Sequence, residues 1–211
     1  MVTPDLRGHG GSRTYTDPRG EIKEFDLSRM NRVDIAAMLN RDIEAVKKFL
    51  KEQNDSGQLN LNALTLVGAG EGAVLAANYA AIDWNFPDIG RKKQSKDVRA
   101  LVLISPERNL KGFDYNIASR HPMVSRLPWL IIAGADSTQI DDADKLHKQL
   151  ERSRRGRAMG PATLMPVPGR AAGTNLLRTN RDVIPAIVDF VTKNVIEQQE
   201  ENFPWVDRSG D

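Results

Sequence analysis

Apolar residues follow two different periodicities along the chain, and each predicts a type of element. Short, nearly continuous apolar runs predict four strands, at residues 59–67, 98–104, 127–133 and 162–167. Apolar positions spaced by three and four predict helices that alternate with them, at residues 34–53, 73–81, 141–154 and 182–195. Continuous apolar strands alternating with helices favour an α/β fold, with a mostly parallel sheet covered by helices on both faces.

The length of 211 residues suits a single domain with a substantial core. We expect that domain to span residues 1–196 and to be followed by a polar tail at 197–211. Within the tail, Phe203-Pro204-Trp205 is the apolar stretch that can dock on the domain. Residues 15–30 are polar and turn-rich, and Asp17-Pro18-Arg19-Gly20 predicts a turn among them.

Composition excludes several classes of protein. Apolar residues make up 40% and charged residues 27% of the chain, which is typical of a globular protein. A net charge of +2 gives no reason to expect nucleic-acid binding, and the basic run at 152–157 is interpreted as a solvated loop at a helix end. No apolar run reaches the roughly 18 residues of a membrane span. No secretory signal pattern opens the chain, so the cytoplasm is the default compartment, although nothing fixes it.

Cysteine and histidine usage limits the chemistry further. The chain has no cysteine, which removes disulfides and thiol nucleophiles. Its three histidines are scattered without the spacing of metal ligands, so we expect no metal site and no cofactor. A small molecule or a protein is the partner that remains.

One glycine-rich turn carries the most specific signal. Gly68-Ala69-Gly70-Glu71-Gly72 lies between an apolar predicted strand and an alanine-rich predicted helix. This is the place, and most of the lettering, of the G-x-S-x-G nucleophile elbow. The serine position is occupied by Gly70, which has no side chain to act as a nucleophile.

Four motifs in order resemble those of the α/β-hydrolase superfamily, over about residues 1–196. Pro4-Asp5-Leu6-Arg7-Gly8-His9-Gly10-Gly11-Ser12 resembles its D-x-R-G-x-G-x-S loop. The turn at 68–72 resembles its nucleophile elbow, and Gly134-Ala135-Asp136 falls where its catalytic acid usually lies. The segment 168–177 resembles the H-G-x-x-L-L loop that carries its catalytic histidine.

The resemblance implies which catalytic positions are filled. The nucleophile position is Gly70, the histidine position is Ala172, and only the acid, Asp136, is retained. Glu71 is placed to supply one oxyanion-hole N–H, whereas the strand and loop that carry the other are absent. The resemblance therefore implies a pseudo-hydrolase that lacks the first strands of the family. Residues 107–126 are too few for a cap domain.

The absent strands leave a position beside the strand at 59–67. Three alternatives remain open: the residues near Met1 fill it, a partner fills it, or the folded unit is larger than this sequence. An exposed edge there would favour a homo-oligomer.

Two other functions stay open as alternatives. The first is an ester or acyl hydrolase that uses Glu71, Asp136 and His9; their plainer interpretations are a helix-start carboxylate, a capping carboxylate and a structural loop histidine. The second is a dinucleotide binder, because Gly68-x-Gly70-x-x-Ala73 satisfies G-x-G-x-x-G/A between a strand and a helix. The fingerprint also requires a second strand that ends in an acidic residue roughly 20 residues later, whereas residues 84–97 are polar and interrupted by proline, and Glu107 comes too late.

Overall fold

A computed structural model describes residues 1–87, 93–154 and 159–209. Its centre is a parallel sheet of four strands in the order β3-β4-β5-β6. The strands are β3 (Leu64–Ala69), β4 (Val98–Ile104), β5 (Trp129–Gly134) and β6 (Ala162–Val167). Each strand therefore pairs with the next one along the chain, and the predicted α/β class is confirmed. Residues 155–157 of the basic run and 210–211 of the tail lie outside the described residues.

Helices pack on both faces of this sheet. The described helices are α1 (Arg32–Ala37), α2 (Ile43–Asp55), α3 (Glu71–Asn85), α4 (Asn116–Ser119), α5 (Ile140–Ser153), α6 (Asn175–Thr179), α7 (Val183–Val191) and α8 (Gln199–Asn202). Alternate residues of β4 belong to two different cores: Leu101 and Leu103 pack with α3 and α5, whereas Val102 and Ile104 pack with α6 and α7. Within the described residues, no helix is long and apolar enough to cross a lipid bilayer.

Helix α3 is buried on two sides. Ala73, Ala77 and Ala80 face the sheet, and Val74 and Tyr79 pack in a third core with α1 and α2. The predicted helix at 34–53 is therefore present, but it covers α3 instead of the sheet. It runs from α1 to α2 through a wider turn at Met38–Asp42, whose hydrogen bonds join residues five apart.

The N-terminal part of the chain corrects one expectation. Residues 14–24 form a short antiparallel hairpin, β1 (Thr14–Thr16) and β2 (Ile22–Glu24), closed by the predicted turn, in which the Gly20 N–H donates to the Asp17 carbonyl. Residues 1–13, all of them described, form no strand. The alternative in which the residues near Met1 fill the position beside β3 is therefore wrong.

Strand β3 is an edge of the sheet and begins later than predicted. Among the described strands only β4 pairs with it, and Val67 is 53% exposed. The first residues of the predicted strand at 59–67 instead include a 3₁₀ turn at Leu61–Ala63, because the Asn60 side chain accepts a hydrogen bond from the Asn62 N–H and caps the turn.

The C-terminal segment after α8 docks on the amino-terminal edge of the sheet, as the Phe203-Pro204-Trp205 stretch suggested. Three asparagine amides donate to its backbone carbonyls: Asn60 to Phe203, Asn62 to Pro204 and Asn54 to Val206. In return, the Trp205 indole N–H donates to the Asn54 carbonyl at 3.0 Å.

Arg208 anchors this segment in a buried cluster of charges. Its guanidinium donates two hydrogen bonds to Asp97, at 2.8 and 2.5 Å, and the Lys93 Nζ lies 3.0 Å from the same carboxylate. The Lys47 Nζ bridges Asp97, at 3.4 Å, and Asp83, at 2.6 Å. Both carboxylates are fully buried. Three cations thus surround two anions where β4 begins.

Candidate functional site at the carboxyl edge of the sheet

The loops that follow the four parallel strands lie at one edge, where ligands of open α/β sheets bind. The sequence motifs at 68–72, 134–136 and 168–177 include these loops and the ends of the elements beside them. His9 does not, since it belongs to the N-terminal loop.

The loop between β3 and α3 is a sharp turn. Gly70 has φ +57° and ψ −122°, a conformation that costs other residues of order 1–3 kcal/mol. Its N–H donates to the Ile104 carbonyl at 2.9 Å, and its own carbonyl accepts from the Ala73 N–H. A Cβ at position 70 would meet no atom within 4 Å. The turn therefore presents an open position that carries no side chain.

Gly68 explains how the turn is held closed. A Cβ at this position would lie 2.3 Å from the Gly72 carbonyl oxygen and 2.7 Å from the Ala73 Cα. The start of α3 thus packs directly against the end of β3, and only glycine fits between them. Gly68 permits the close packing of α3 on β3, whereas Gly70 permits the backbone conformation of the turn between them.

Glu71 begins α3 and is exposed to solvent. A carboxylate in the first turn of a helix interacts favourably with the helix dipole. Nearby, the Glu107 N–H donates to the Gly70 carbonyl at 3.4 Å, and the Gln139 amide donates to the Glu107 carboxylate at 3.2 Å. These hydrogen bonds connect the loops after β3, β4 and β5.

The loops after β5 and β6 are in direct contact. The Asp136 N–H donates to the Gly169 carbonyl at 3.1 Å, and a Cβ at Gly134 would lie 2.4 Å from the Ala171 carbonyl oxygen. The structure therefore places Asp136 and Ala172 on touching loops. Asp136 is exposed, whereas Ala172 is half-buried and offers only a methyl group.

Two serines at this edge were missed as functional candidates by sequence analysis. Ser105 follows β4 with φ +47°, a strained value for a residue other than glycine, and is only 1% exposed. The hydroxyl groups of Ser105 and of the buried Ser137 have no hydrogen-bond partner among the described residues. The Ser105-Pro106 sequence directly follows the predicted strand at 98–104, but it gives no sign of either property.

His9 belongs to a separate, tightly turned loop. Its Nδ1 lies 3.1 Å from the Arg7 carbonyl oxygen, and Arg7 forms a salt bridge of 2.6 Å with Asp42. Burial opposes ionisation of Asp42, but the Arg7 hydrogen bonds outweigh it and hold the pKa of that carboxyl below its usual value. This loop lines an open hollow of about 330 Å³ that also includes Arg13 and Glu24.

The three polar candidates are not joined. Throughout the described part of the chain, Glu71, Asp136 and His9 make no hydrogen bond or ion pair with one another. Among all the residues that the structure describes, no group of three or more His, Cys, Asp or Glu side chains could hold a metal ion.

The chain matches none of the protein-family models and none of the curated proteins with which it was compared.

Proposed function

We propose that this chain is an α/β-hydrolase-like protein that does not catalyse ester or acyl hydrolysis and that binds a small molecule or a protein at the carboxyl edge of its sheet. The observation that carries the proposal is the turn at Gly70. A strained strand-to-helix turn is the backbone in which hydrolases of this type expose their nucleophile. Here the turn has open space above it and no side chain.

The neighbouring loops support the same interpretation. A hydrolase needs a base beside its nucleophile and a carboxylate that orients the base. The loop of Asp136 touches the loop of Ala172, which supports the expectation that the acid and histidine positions of the family are neighbours here. An alanine methyl group accepts no proton. Because nucleophile and base are both missing, we expect hydrolysis no faster than in a denatured sample.

The remaining features favour binding. The described residues of the crossing segment between β4 and β5 form α4, a 3₁₀ turn at Val124–Arg126 and an isolated β-bridge between Leu110 and Phe113, which supports the expectation that no cap domain covers the edge. Near the edge, the buried hydroxyl groups of Ser105 and Ser137 have no hydrogen-bond partner within the described part of the chain, and leaving such groups unsatisfied costs free energy.

An ester assay tests the catalytic part of the proposal. Hydrolysis of a p-nitrophenyl ester series would be compared between the chain, a Gly70→Ala variant, a Glu71→Gln variant and a heat-denatured control. Equal rates in all four samples are expected. A wild-type turnover that Glu71→Gln abolishes would refute the proposal and establish the alternative hydrolase, with Glu71 as its centre.

A ligand screen tests the binding part. Thermal shifts from a small-molecule library would be measured for the chain and for a Glu71→Trp variant, in which an indole obstructs the exposed rim of the edge. Ligands of the proposed site stabilise the wild type more than the variant. NAD and NADP belong in the same screen, and we expect neither to stabilise the chain, since the Gly70 N–H is already bonded to the Ile104 carbonyl.

The open edge of β3 keeps a homo-oligomer among the predictions. A second copy that pairs there would cover the unpaired backbone groups of the strand and the exposed Val67. Sedimentation equilibrium over a range of concentrations measures this directly. A monomer throughout removes the oligomer and leaves the ligand-binding proposal unchanged.

A further inference from the structure

Basic side chains converge where the second half of α5 passes the end of α4. They line an open hollow of about 480 Å³, whose lining residues are Arg120, Lys145, Lys148, Gln149, Arg152 and Ser153. Among the described residues, this lining contains no acidic and no aromatic side chain. Four positive charges line one hollow of a chain whose net charge is only +2, and two of them have carboxylate partners on the preceding turn of α5.

The hollow has fixed walls. The Gln149 amide donates to the Ser119 hydroxyl at 2.8 Å and so ties α5 to the end of α4, immediately before Arg120. On the other side of α5, Leu146 and Leu150 are fully buried against the sheet. Helical spacing therefore keeps positions 145, 148 and 152 on the outward face, beside Arg120.

The charges are available to a ligand. Neither Arg120 nor Arg152 forms an ion pair with any residue that the structure describes. Lys145 and Lys148 pair with Asp142 and Asp144 on the preceding turn, at 3.3 and 2.6 Å, but both lysine side chains are more than 60% exposed. Exposed pairs of this kind are weak, so an incoming anion can displace them.

The helix dipole explains only part of the cluster. Cations are favoured in the last turn of a helix, which accounts for Arg152 near the end of α5. It does not account for Lys145 in the middle of that helix, and Arg120 is the C-cap of a different helix, α4, whose dipole gives no reason for Arg120 to lie beside α5. Convergence from two elements is what a binding site requires and what dipole compensation does not.

We propose that this hollow binds a compact anion with two or more phosphoryl groups, of the pyrophosphate type. Two guanidinium groups match phosphate oxygens in a bidentate manner, and two flexible ammonium groups add charge. The absence of aromatic lining residues argues against single-stranded nucleic acid, which stacks its bases on such side chains. The polar lining likewise argues against a largely apolar ligand.

Isothermal titration calorimetry with pyrophosphate and tripolyphosphate tests this proposal. We expect tripolyphosphate to bind more tightly than pyrophosphate, and both to bind more weakly as salt is added. An Arg120→Gln/Arg152→Gln double variant should bind about tenfold more weakly or worse, because two charge-assisted contacts are lost. An Arg41→Gln/Lys48→Gln double variant removes the same charge from exposed positions of another helical segment. Its affinity for both anions should stay within about twofold of the wild type.

Three results would overturn the proposal. One is the absence of binding to the wild type, and another is an equal loss in both double variants, which would show only long-range attraction. The third comes from a competition experiment. A labelled single-stranded oligonucleotide serves as a competitor. If it displaces tripolyphosphate at equal phosphate concentration, the hollow is a nucleic-acid contact and not a polyphosphate site. The second half of α5 runs away from the carboxyl edge, so these outcomes do not bear on the proposed function.

Discussion

Replacing Arg208 by methionine should destabilise the protein strongly, although the residue lies far from the sheet in sequence. Its side chain is 3% exposed and donates two hydrogen bonds to a fully buried carboxylate, Asp97. Methionine keeps much of the apolar contact of the arginine stem and removes the charge. The change therefore isolates the ion pair from the packing of the C-terminal segment.

The magnitude follows from what remains around Asp97. Removing one partner of a buried ion pair typically costs about 3–5 kcal/mol. Here Lys93 and Lys47 stay 3.0 and 3.4 Å from the same carboxylate and compensate in part. We therefore expect a loss of about 2–3 kcal/mol in the free energy of unfolding, or roughly 5–10 °C in Tm for a domain of this size.

The pH dependence adds a second signature. Burial opposes ionisation of Asp97, but the hydrogen bonds and charge of Arg208, with the two lysines, outweigh it and keep its pKa below the usual value. A lowered folded-state pKa contributes stability that is fully present above the unfolded value of about 3.9 and is lost as pH falls through the folded value. The difference between wild type and Arg208→Met should therefore shrink below about pH 4.

Urea denaturation followed by circular dichroism measures both quantities. Arg181 is exposed, and Arg181→Met is the matched control. Its free energy of unfolding should stay within about 0.5 kcal/mol of the wild-type value. A double-mutant cycle with Asp97→Asn gives the coupling between the two side chains. A loss below about 0.5 kcal/mol for Arg208→Met, or a cycle without coupling, would refute the argument.

Three further variants or titrations test other parts of the structure. Gly68→Ala should lower the free energy of unfolding by about 3 kcal/mol, measured by urea denaturation. The loss should exceed that of Gly70→Ala, because only the Cβ at position 68 would clash with backbone atoms. Tyr79→Phe removes a part-buried hydrogen bond of 2.8 Å to Glu44 and should cost about 1 kcal/mol by the same assay. Burial lowers the pKa of His121, so its NMR titration midpoint should lie below about 6.5, and stability should fall as pH drops from that value towards the midpoint.

The centre of the sheet was predictable from sequence because β4 and β5 are buried on both faces. The runs at 98–104 and 162–167 match the bounds of β4 and β6, although β6 is mostly half-buried or exposed. The turn at 68–72 was predictable for a similar reason: its glycines answer backbone demands that are local in sequence.

Contacts between distant segments were not predictable. Nothing in the sequence pairs Arg208 with Asp97, or three asparagines of residues 54–62 with the backbone of 203–206. The same holds for the basic hollow, which needs Arg120 and α5 to meet. Local periodicity specifies which face of an element is buried, but polar partners depend on how elements are placed in space.

The start of strand β3 is a second feature that the apolar pattern did not predict. The apolar run from residue 59 predicts an early start, yet Asn60 caps a turn that delays the strand until Leu64. A side chain that bonds to the backbone two residues later competes with strand pairing, and an apolar pattern does not register it.

Helix α3 is shared by two hydrophobic cores, and that arrangement determines how the protein unfolds. Its alanines close the core on the sheet, while Val74 and Tyr79 close the core beneath α1 and α2. The outer helices cannot melt without exposing one side of α3, and the sheet cannot open without exposing the other. These layers therefore form one cooperative unit instead of two independent ones.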